Sequence, residues 1–179
     1  MNPLFSSLLR SKATEDLRFR RLASHGPYEV RLYQKMWSAK VSIQGEFHDA
    51  FKDGCRLLIE YIEGNNFKMA RIGSVASFFQ VNKISTWDIG IILPQTFTAL
   101  NTPKPINRLV RIEELNPGKV GVLRYRGKIS GDIFHRKGDE LARWLLSRGS
   151  KPIGPLKVAI DTVMPINYFK YNEIHMEII

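Results

Sequence analysis

The sequence has a single cysteine, Cys55, and no run of apolar residues that approaches the length of a membrane-spanning helix. One cysteine excludes an intramolecular disulfide and fits a reducing compartment. A helix that crosses a bilayer needs roughly 20 consecutive apolar residues. The first nine residues also lack the basic region and the small-residue cleavage site of a secretory signal. We therefore expect a cytoplasmic protein without a membrane span.

Catalytic motifs are also missing. The sequence has no glycine-rich phosphate loop, no nucleophile elbow, no paired zinc-ligand motif and no dinucleotide fingerprint. Glu113 and Glu114 are adjacent on a predicted strand, so their carboxylates point to opposite faces. Four histidines lie far apart without the spacing of a metal site: His25, His48, His135 and His175. We predict a protein that is not an enzyme and has no metal site, although residues distant in sequence can still assemble an active site.

Acidic residues are outnumbered by basic ones, 17 against 27, and the formal net charge is +10. Such an excess attracts anionic partners, whether nucleic acid, a membrane surface or a carboxylate-bearing ligand. The basic residues form only three small groups, which are Arg18, Arg20 and Arg21; Arg124, Arg126 and Lys128; and Arg136 and Lys137. This distribution is typical of a solvated surface, so nucleic-acid binding is the weaker alternative.

The first part of the chain reads as two strands, a helix and a third strand. Tyr28–Tyr33 alternates apolar and polar residues, and so does the stretch from Trp37 to Ile43. After Gly45 the apolar period changes to helical spacing, and Gly64 with Asn65 closes the predicted helix. The helical stripe comprises Phe47, Ala50, Phe51, Leu58, Tyr61 and Ile62, and Trp87–Leu93 is the following strand.

The same order of elements begins again at Leu109. Lys119–Arg126 is a second strand, Ser130 can cap a helix, and Gly149 ends that helix. The apolar stripe of this helix is Phe134, Leu141, Trp144 and Leu145, and Asn172–Ile179 is the closing strand. Gly64 precedes Ile89 by the same number of positions as Gly149 precedes Ile174. The agreement in order, closing glycines and spacing predicts an internal repeat of about 80 residues.

We predict one α+β domain formed by two strand–strand–helix–strand units about a pseudo-twofold axis. The 179 residues, 44% of them hydrophobic, suffice for one such core. The sheet should be twisted and mainly antiparallel, either open or nearly closed into a barrel, with two helices against it. Residues 1–20 should form a loosely ordered arm and 21–179 the domain, with repeats at about 28–93 and 109–179 joined by the linker Pro94–Pro105.

Four ordered segments carry a resemblance to a known family. They are Tyr28-Glu29-Val30-Arg31-Leu32-Tyr33, Gly54–Gly64 with Asn65-Asn66, Trp87–Pro94, and Lys170-Tyr171-Asn172-Glu173-Ile174. In this order the segments resemble the SOUL family of haem-binding proteins, over nearly the whole stretch from Tyr28 to Ile179. The resemblance implies a duplicated α+β fold with an eight-stranded twisted barrel and two helices. It also implies a carrier or buffer that binds haem or a related tetrapyrrole, a hydrophobic anionic ligand, in a hydrophobic cleft.

This chain departs from the family pattern at three places. Arg71-Ile72-Gly73-Ser74-Val75 stands where members usually carry Met-Thr-x-Pro-Val. Leu32 stands where some members have a histidine proposed as an axial iron ligand, and Glu60 stands where a lysine is common. We therefore expect tetrapyrrole binding without a histidine ligand at that position, and folding that does not require haem.

The resemblance places the ligand between the first helix and the last inter-strand loop. It implies nine contact residues, which are Phe47, Phe51, Lys52, Cys55 and Ile59 on the helix and Met164, Tyr168, Phe169 and Lys170 in the loop. Each has a simpler interpretation, because helical spacing also describes a plain core, an exposed lysine usually meets water and a lone cysteine is usually a small buried hydrophobe. His175 alternates with Ile174 and Met176, so it faces away from their side, and we expect it in solvent rather than against a ligand.

A second hypothesis comes from another functional class. The gyrase-inhibitor-like sensor domains share the duplicated architecture. The chain would then be an effector-binding or protein-interaction module for a different small molecule or partner, and would not bind haem. The lost Met-Thr-x-Pro-Val segment favours this alternative.

Overall fold

The computed structural model describes residues 19–72, 78–83, 86–127, 130–160 and 171–179. Nine strands and two helices lie within these ranges. In chain order they are β1 (Phe19–His25), β2 (Tyr28–Tyr33), β3 (Met36–Gln44), α1 (Phe47–Ile62), β4 (Phe78–Lys83), β5 (Thr86–Ile92), β6 (Arg111–Leu115), β7 (Lys119–Arg126), α2 (Gly131–Ser147), β8 (Pro152–Ile160) and β9 (Tyr171–Ile178). Across the described part of the chain, no helix has the length and apolar character needed to cross a bilayer.

Both helices begin and end where the sequence predicts. Ala50, Leu58 and Tyr61 on α1 follow helical spacing and are buried against the sheet. Gly64 follows α1 with a φ of 120°, a backbone conformation that favours glycine. At the start of α2, Ser130 Oγ accepts a hydrogen bond from Ile133 N at 3.3 Å and so satisfies one of the free amides of the first turn.

The strands form one antiparallel sheet in the order β1-β2-β7-β9-β8-β4-β5-β3-β6. Apart from β1, the order is symmetric about the central β8–β4 pair, in which Gln80 lies opposite Val158. The first strand of each half pairs with the other half, because β2 lies beside β7 and β6 lies beside β3. The two halves are therefore interlocked through their main chains.

The sheet curves until two chain connections meet. Tyr33 N, at the end of β2, donates to Gly118 O at 2.9 Å, and Met36, at the start of β3, lies opposite Leu115 at the end of β6. We call the β2–β3 and β6–β7 connections the seam. Within the described residues β1 and β6 are the sheet edges and do not pair with each other, so the barrel is not closed.

The helices cover one face of the sheet, and each lies very close to a strand. One buried cluster under α1 includes Leu58 and Ile89, and another under α2 includes Leu141 and Ile174. A Cβ added to Gly54 would lie 2.9 Å from Ile89 Cδ1, so only glycine allows α1 to approach β5 this closely. Gly138 has the same role on α2, against Leu156 of β8.

The predicted fold class is confirmed, with differences in detail. The α+β architecture, the antiparallel sheet and the two flanking helices are present, but each half has four strands where the sequence pattern indicated three. The residue pattern did not predict β4 and β8, but with them the sheet has, apart from β1, the eight strands that the family resemblance implies. In β8, Pro152, Pro155 and the left-handed Gly154 (φ 71°) interrupt the alternation, and the pairing with β9 shifts register between Ile153 and Lys157. The strand β1 is also additional, and it pairs with β2.

Candidate ligand-binding sites

A row of half-buried apolar side chains runs along α1. Phe47, Phe51, Cys55 and Ile59 follow one another at intervals of four residues, and we call them the α1 ridge. The rings of Phe47 and Phe51 are nearly parallel, at an interplanar angle of 9° and a centroid distance of 6.5 Å. The inner sides of Phe47, Phe51 and Cys55 pack on the buried cluster under α1, so their outer sides form a supported apolar surface.

Aromatic contacts connect the α1 ridge to the second helix. The Trp87 ring meets Phe47 edge to face at a centroid distance of 5.0 Å, and it meets Phe134 of α2 at 6.2 Å. Such edge-to-face pairs stabilise a fixed arrangement of the rings. The beginning of the α1 ridge therefore lies next to the first turn of α2, and both halves of the protein build this region.

The thiol of Cys55 is in its neutral form at physiological pH. Burial raises the pKa of Cys55 to about 12, because the apolar surroundings penalise the thiolate. Thiolate is the form that binds iron, so iron would have to displace the proton of Cys55. With that proton in place, the sulfur of the α1 ridge is an apolar contact.

The charged side chains on α1 face solvent. Lys52 is exposed and follows Phe51 directly in the chain. Glu60, which stands where the family has a lysine, accepts a hydrogen bond from Arg56 Nη1 at 3.1 Å. This exposed pair reduces the repulsion that the Glu60 carboxylate would exert on an anion.

The loop half of the predicted site, with Met164, Tyr168, Phe169 and Lys170, lies outside the described residues. So do Gly73, Ser74 and Val75 of the segment that departs from the family pattern. Ile72 of that segment is buried, and its N–H donates to Ile62 O at 2.8 Å. The cleft between α1 and the loop therefore stays a prediction.

A pocket lies on the face of the sheet turned away from the helices, which we call the inner face. It has a volume of about 70 Å³ and opens beside the seam. Its lining is mostly apolar, with four ionisable residues, and comprises Tyr33, Met36, Ile92, Leu115, Pro117, Val120, Lys157, Ala159, His175 and Glu177. We call it the seam pocket. Drug-sized ligands occupy pockets of roughly 300–1,000 Å³, so the seam pocket is too small for a tetrapyrrole.

Ion pairs between strands border the seam pocket. Arg31 of β2 binds the Glu173 carboxylate of β9 through two hydrogen bonds, each 2.8 Å long, and its Nε donates to Glu29 Oε2 at 2.6 Å. Lys157 is in close contact with Glu177. Burial alone would raise the pKa of Glu173, but the hydrogen bonds from His175 and Arg31 outweigh it and hold that pKa well below its usual range.

The sequence-based placement of His175 in solvent is wrong. Its Nε2 lies 3.0 Å from Glu173 Oε2, and its ring lines the seam pocket. The polar members of β2 were likewise expected opposite the apolar face, yet Glu29 and Arg31 are buried. The alternation of apolar and polar residues correctly separated the two faces of the sheet, but the second face is the interior of a curved sheet and not its solvent side.

The described residues contain no group of three or more histidine, cysteine or acidic side chains that could hold a metal ion.

The sequence matches a known protein family over nearly its whole length. The model of the SOUL heme-binding protein family matches residues 14–177. The chain belongs to the SOUL family. Two of the segments that carry the SOUL resemblance meet in the structure, because Arg31 lies in the opening segment and Glu173 in the closing one. Among curated proteins, no sequence has a significant match to this SOUL protein.

Solved structures share the fold of this SOUL protein at very low identity. A protein from Listeria innocua described as a hydrolase has a TM-score of 0.63 and 11% identity, over 88% of this chain and 94% of its own. An uncharacterized conserved protein from the same organism has a TM-score of 0.64 and 10% identity, over 87% and 94%. The C-terminal domain of EcmrR has a TM-score of 0.61 and 10% identity, over 84% and 96%. These similarities establish the fold alone.

Proposed function

We propose that this SOUL protein binds haem or a related tetrapyrrole on the α1 ridge, as a carrier or buffer without enzymatic activity. The observation that supports the proposal is the row of Phe47, Phe51, Cys55 and Ile59, which is half-buried at helical spacing and whose first three members pack on the buried cluster under α1. A flat macrocycle placed against this row removes apolar surface from water, and each Å² of such surface contributes about 25 cal/mol. The family membership makes tetrapyrroles the ligand class to test first.

The ligand's carboxylates would meet basic side chains at the rim. Lys52 is exposed next to Phe51, and Lys170 is the basic residue that the family resemblance adds from the loop. The formal net charge of +10 adds a general attraction for an anion. Nucleic acid would use the same attraction, but its affinity would fall steeply with salt. Burial against an apolar row responds little to salt, so a salt titration separates the two.

The site residues fit the apolar macrocycle better than its iron. Leu32 replaces the histidine that some members carry, and Cys55 keeps its proton because burial raises its pKa. The affinity for haemin and for metal-free protoporphyrin should therefore be about equal. Titrations of the purified protein, followed at the Soret band, measure both constants. A strong preference for haemin would contradict binding without an iron ligand from α1.

Two substitutions on α1 test the position of the site. Phe51→Asp places a charge on the apolar row and should weaken protoporphyrin binding at least about tenfold. Lys52→Glu changes an exposed residue, leaves the fold intact and should weaken binding about tenfold through repulsion of the carboxylates. Leu146→Asp on α2 and Lys119→Glu on β7 are matched controls at exposed positions. Unchanged affinity in both α1 variants would exclude this site.

The seam pocket supports a second candidate function, the binding of a small effector other than haem. The pocket is concave and lined mostly by apolar side chains, with Lys157, His175 and Glu177 as polar groups, and ligand pockets have this composition. The test is NMR titration with toluene, benzoate and benzylamine, which share a ring and differ in charge. Ala159→Leu should fill the pocket and abolish any shift changes at residues around it. Shift changes that persist in this variant would place the ligand elsewhere.

A further inference from the structure

Two loops at the C-terminal end of α1 are joined into one surface. They are residues 64–71 and 94–109, and we call them the loop platform. Phe67 N donates to Lys104 O at 2.9 Å, and Asn66 forms an isolated bridge with Pro105. Tyr61 Oη, on the last turn of α1, donates to Pro103 O at 2.8 Å. The second loop is the predicted linker between the two halves, and here it is fixed to the first.

The buried side chain of Asn66 holds the first loop in shape. Its Nδ2 donates to Tyr61 O at 3.1 Å and to Ala70 O at 2.7 Å. Its Oδ1 accepts hydrogen bonds from the backbone N–H groups of Lys68 and Ala70, each at 3.2 Å. Met69 lies between these anchors with a φ of 47°, which is uncommon for a residue other than glycine. The surrounding hydrogen bonds therefore fix a conformation that points Phe67, Lys68 and Met69 outward, and all three are exposed.

The loop platform exposes large apolar side chains. Phe67 is 72% exposed, Met69 85% and Leu100 97%, while Ile106 is 48% and Leu109 57% exposed. These five are more than half of the nine large apolar side chains exposed in the described part of the chain. Scattered apolar residues need no explanation, but their concentration on two hydrogen-bonded loops indicates a contact surface.

The charge of the loop platform has one sign. It carries Lys68, Arg71, Lys104 and Arg108, and it has no aspartate or glutamate. Arg71 pairs with Glu63 next to the platform, and Lys68 Nζ donates to Asn101 O at 3.1 Å. All four basic side chains are exposed. The platform therefore combines protruding apolar groups with a local excess of positive charge.

We propose that the loop platform docks the protein on the surface of an anionic lipid bilayer. Apolar side chains that enter the boundary between headgroups and acyl chains, flanked by lysine and arginine, are the elements of interfacial membrane binding. Each basic residue near an anionic surface contributes a factor of about five in affinity. A nucleic acid would use the charges but not the apolar groups. The absence of acidic residues and the separation of the apolar groups by polar ones favour a fluid interface over a protein partner with a fixed complementary shape.

The test uses the full chain and vesicles of two compositions, phosphatidylcholine alone and phosphatidylcholine mixed with phosphatidylglycerol. The protein should co-sediment with the mixed vesicles, with a partition coefficient at least about tenfold higher than with phosphatidylcholine alone. The double variant Phe67→Ser with Met69→Ser should lose at least about tenfold of this binding. The double variant Lys104→Glu with Arg108→Glu should lose more than about twentyfold.

Matched controls change the same residue types elsewhere. Leu146→Ser with Ile179→Ser removes exposed apolar groups, and Lys119→Glu with Lys151→Glu reverses exposed charges. Both control proteins should bind the mixed vesicles like the unchanged chain. All substituted side chains are exposed, so the thermal midpoints should stay within a few degrees, which circular dichroism checks. Protoporphyrin titration of the platform variants should be unaltered, which separates this proposal from that for the α1 ridge.

Three outcomes would overturn the proposal. The first is that the unchanged chain does not bind mixed vesicles. The second is that the Phe67→Ser, Met69→Ser protein binds as well as the unchanged chain, since adsorption would then be purely electrostatic. The third is a dimer in sedimentation velocity that the same double variant abolishes, without vesicle binding, because the platform would then be an interface between two copies.

Discussion

Arg31 and Glu173 form a two-point ion pair across 142 positions of the chain, with Nη1–Oε2 and Nη2–Oε1 distances of 2.8 Å. Arg31 belongs to the first half and Glu173 to the second, and β7 lies between their strands. The side chains of this pair therefore join the two halves, as the pairing of β2 with β7 and of β3 with β6 does through the main chain. Arg31 also contacts Glu29, so its guanidinium group is neutralised from two sides.

Removal of the Arg31 guanidinium should destabilise the protein strongly. Arg31→Ala leaves the carboxylates of Glu29 and Glu173 without their shared partner in a region with little solvent. The loss of one member of a buried pair costs about 3–5 kcal/mol in the free energy of unfolding. Urea denaturation measures this difference. The control is Arg56→Ala, which breaks an exposed pair with Glu60 and should cost less than about 0.5 kcal/mol. Similar losses in both variants would contradict the structural role of Arg31.

Acidification should weaken the fold through Glu173. Its native pKa lies below the unfolded value near 4.5, so the unfolded chain binds a proton at a pH where the native carboxylate is still ionised. The contribution of Glu173 to stability is therefore complete above the unfolded pKa and is lost as the pH falls through the native one. Glu173→Gln should be less stable than the unchanged chain at pH 7, and the difference should shrink progressively as the pH falls from the unfolded pKa near 4.5 toward the lower native pKa. Urea midpoints across this range test the prediction, and parallel pH profiles would refute it.

The thiol of Cys55 should be unreactive in the native protein. Burial raises its pKa to about 12, so the reactive thiolate is scarce at pH 8. We expect labelling by iodoacetamide to be at least about tenfold slower in buffer than in urea. Cys55→Ser should also leave the absorption spectrum of added haemin unchanged, because in the proposed site the sulfur is an apolar contact and not an iron ligand. A changed Soret maximum in that variant would show that the thiolate forms after all.

Gly54 should tolerate no side chain. A methyl group there would lie 2.9 Å from Ile89 Cδ1, and overpacking of this kind costs about 1–3 kcal/mol in the free energy of unfolding. Gly131→Ala on the first turn of α2 is the matched control, since no atom lies within 4 Å of its added Cβ. That variant should be neutral or slightly stabilising, by up to about 1 kcal/mol. Equal effects of the two substitutions would mean that α1 and β5 are farther apart than in the structure.

The sequence predicted those elements whose two sides differ in polarity. The strand β3 and both helices have one apolar side over a core, so their period is visible in the residues. The strand β8 was missed because Gly154 and two prolines interrupt its pattern, and its place beside β4 depends on the whole chain. His175 was misplaced for a related reason, since alternation defines which side of a strand a residue occupies and not whether a curved sheet encloses that side.

The candidate sites also differ in whether the sequence pattern reveals them. The α1 ridge was predicted because a single helix carries it at regular spacing. The seam pocket was not, because its walls come from distant strands and from the two connections that meet at the seam. The loop platform was also missed, since Phe67 and Leu100 lie in aperiodic segments and their two loops are joined only by hydrogen bonds of the folded chain.

The first strand of each half pairs with a strand of the other half, and this has a consequence for synthesis of the protein on the ribosome. Until β7 has emerged, β2 has only β1 beside it, and β3 lacks the neighbour that β6 supplies. The nascent first half therefore exposes strand edges and apolar surface until β6 and β7 have emerged. Pairings of such long range close large loops and form slowly. We expect chaperone dependence to track the time that the ribosome spends on the second half.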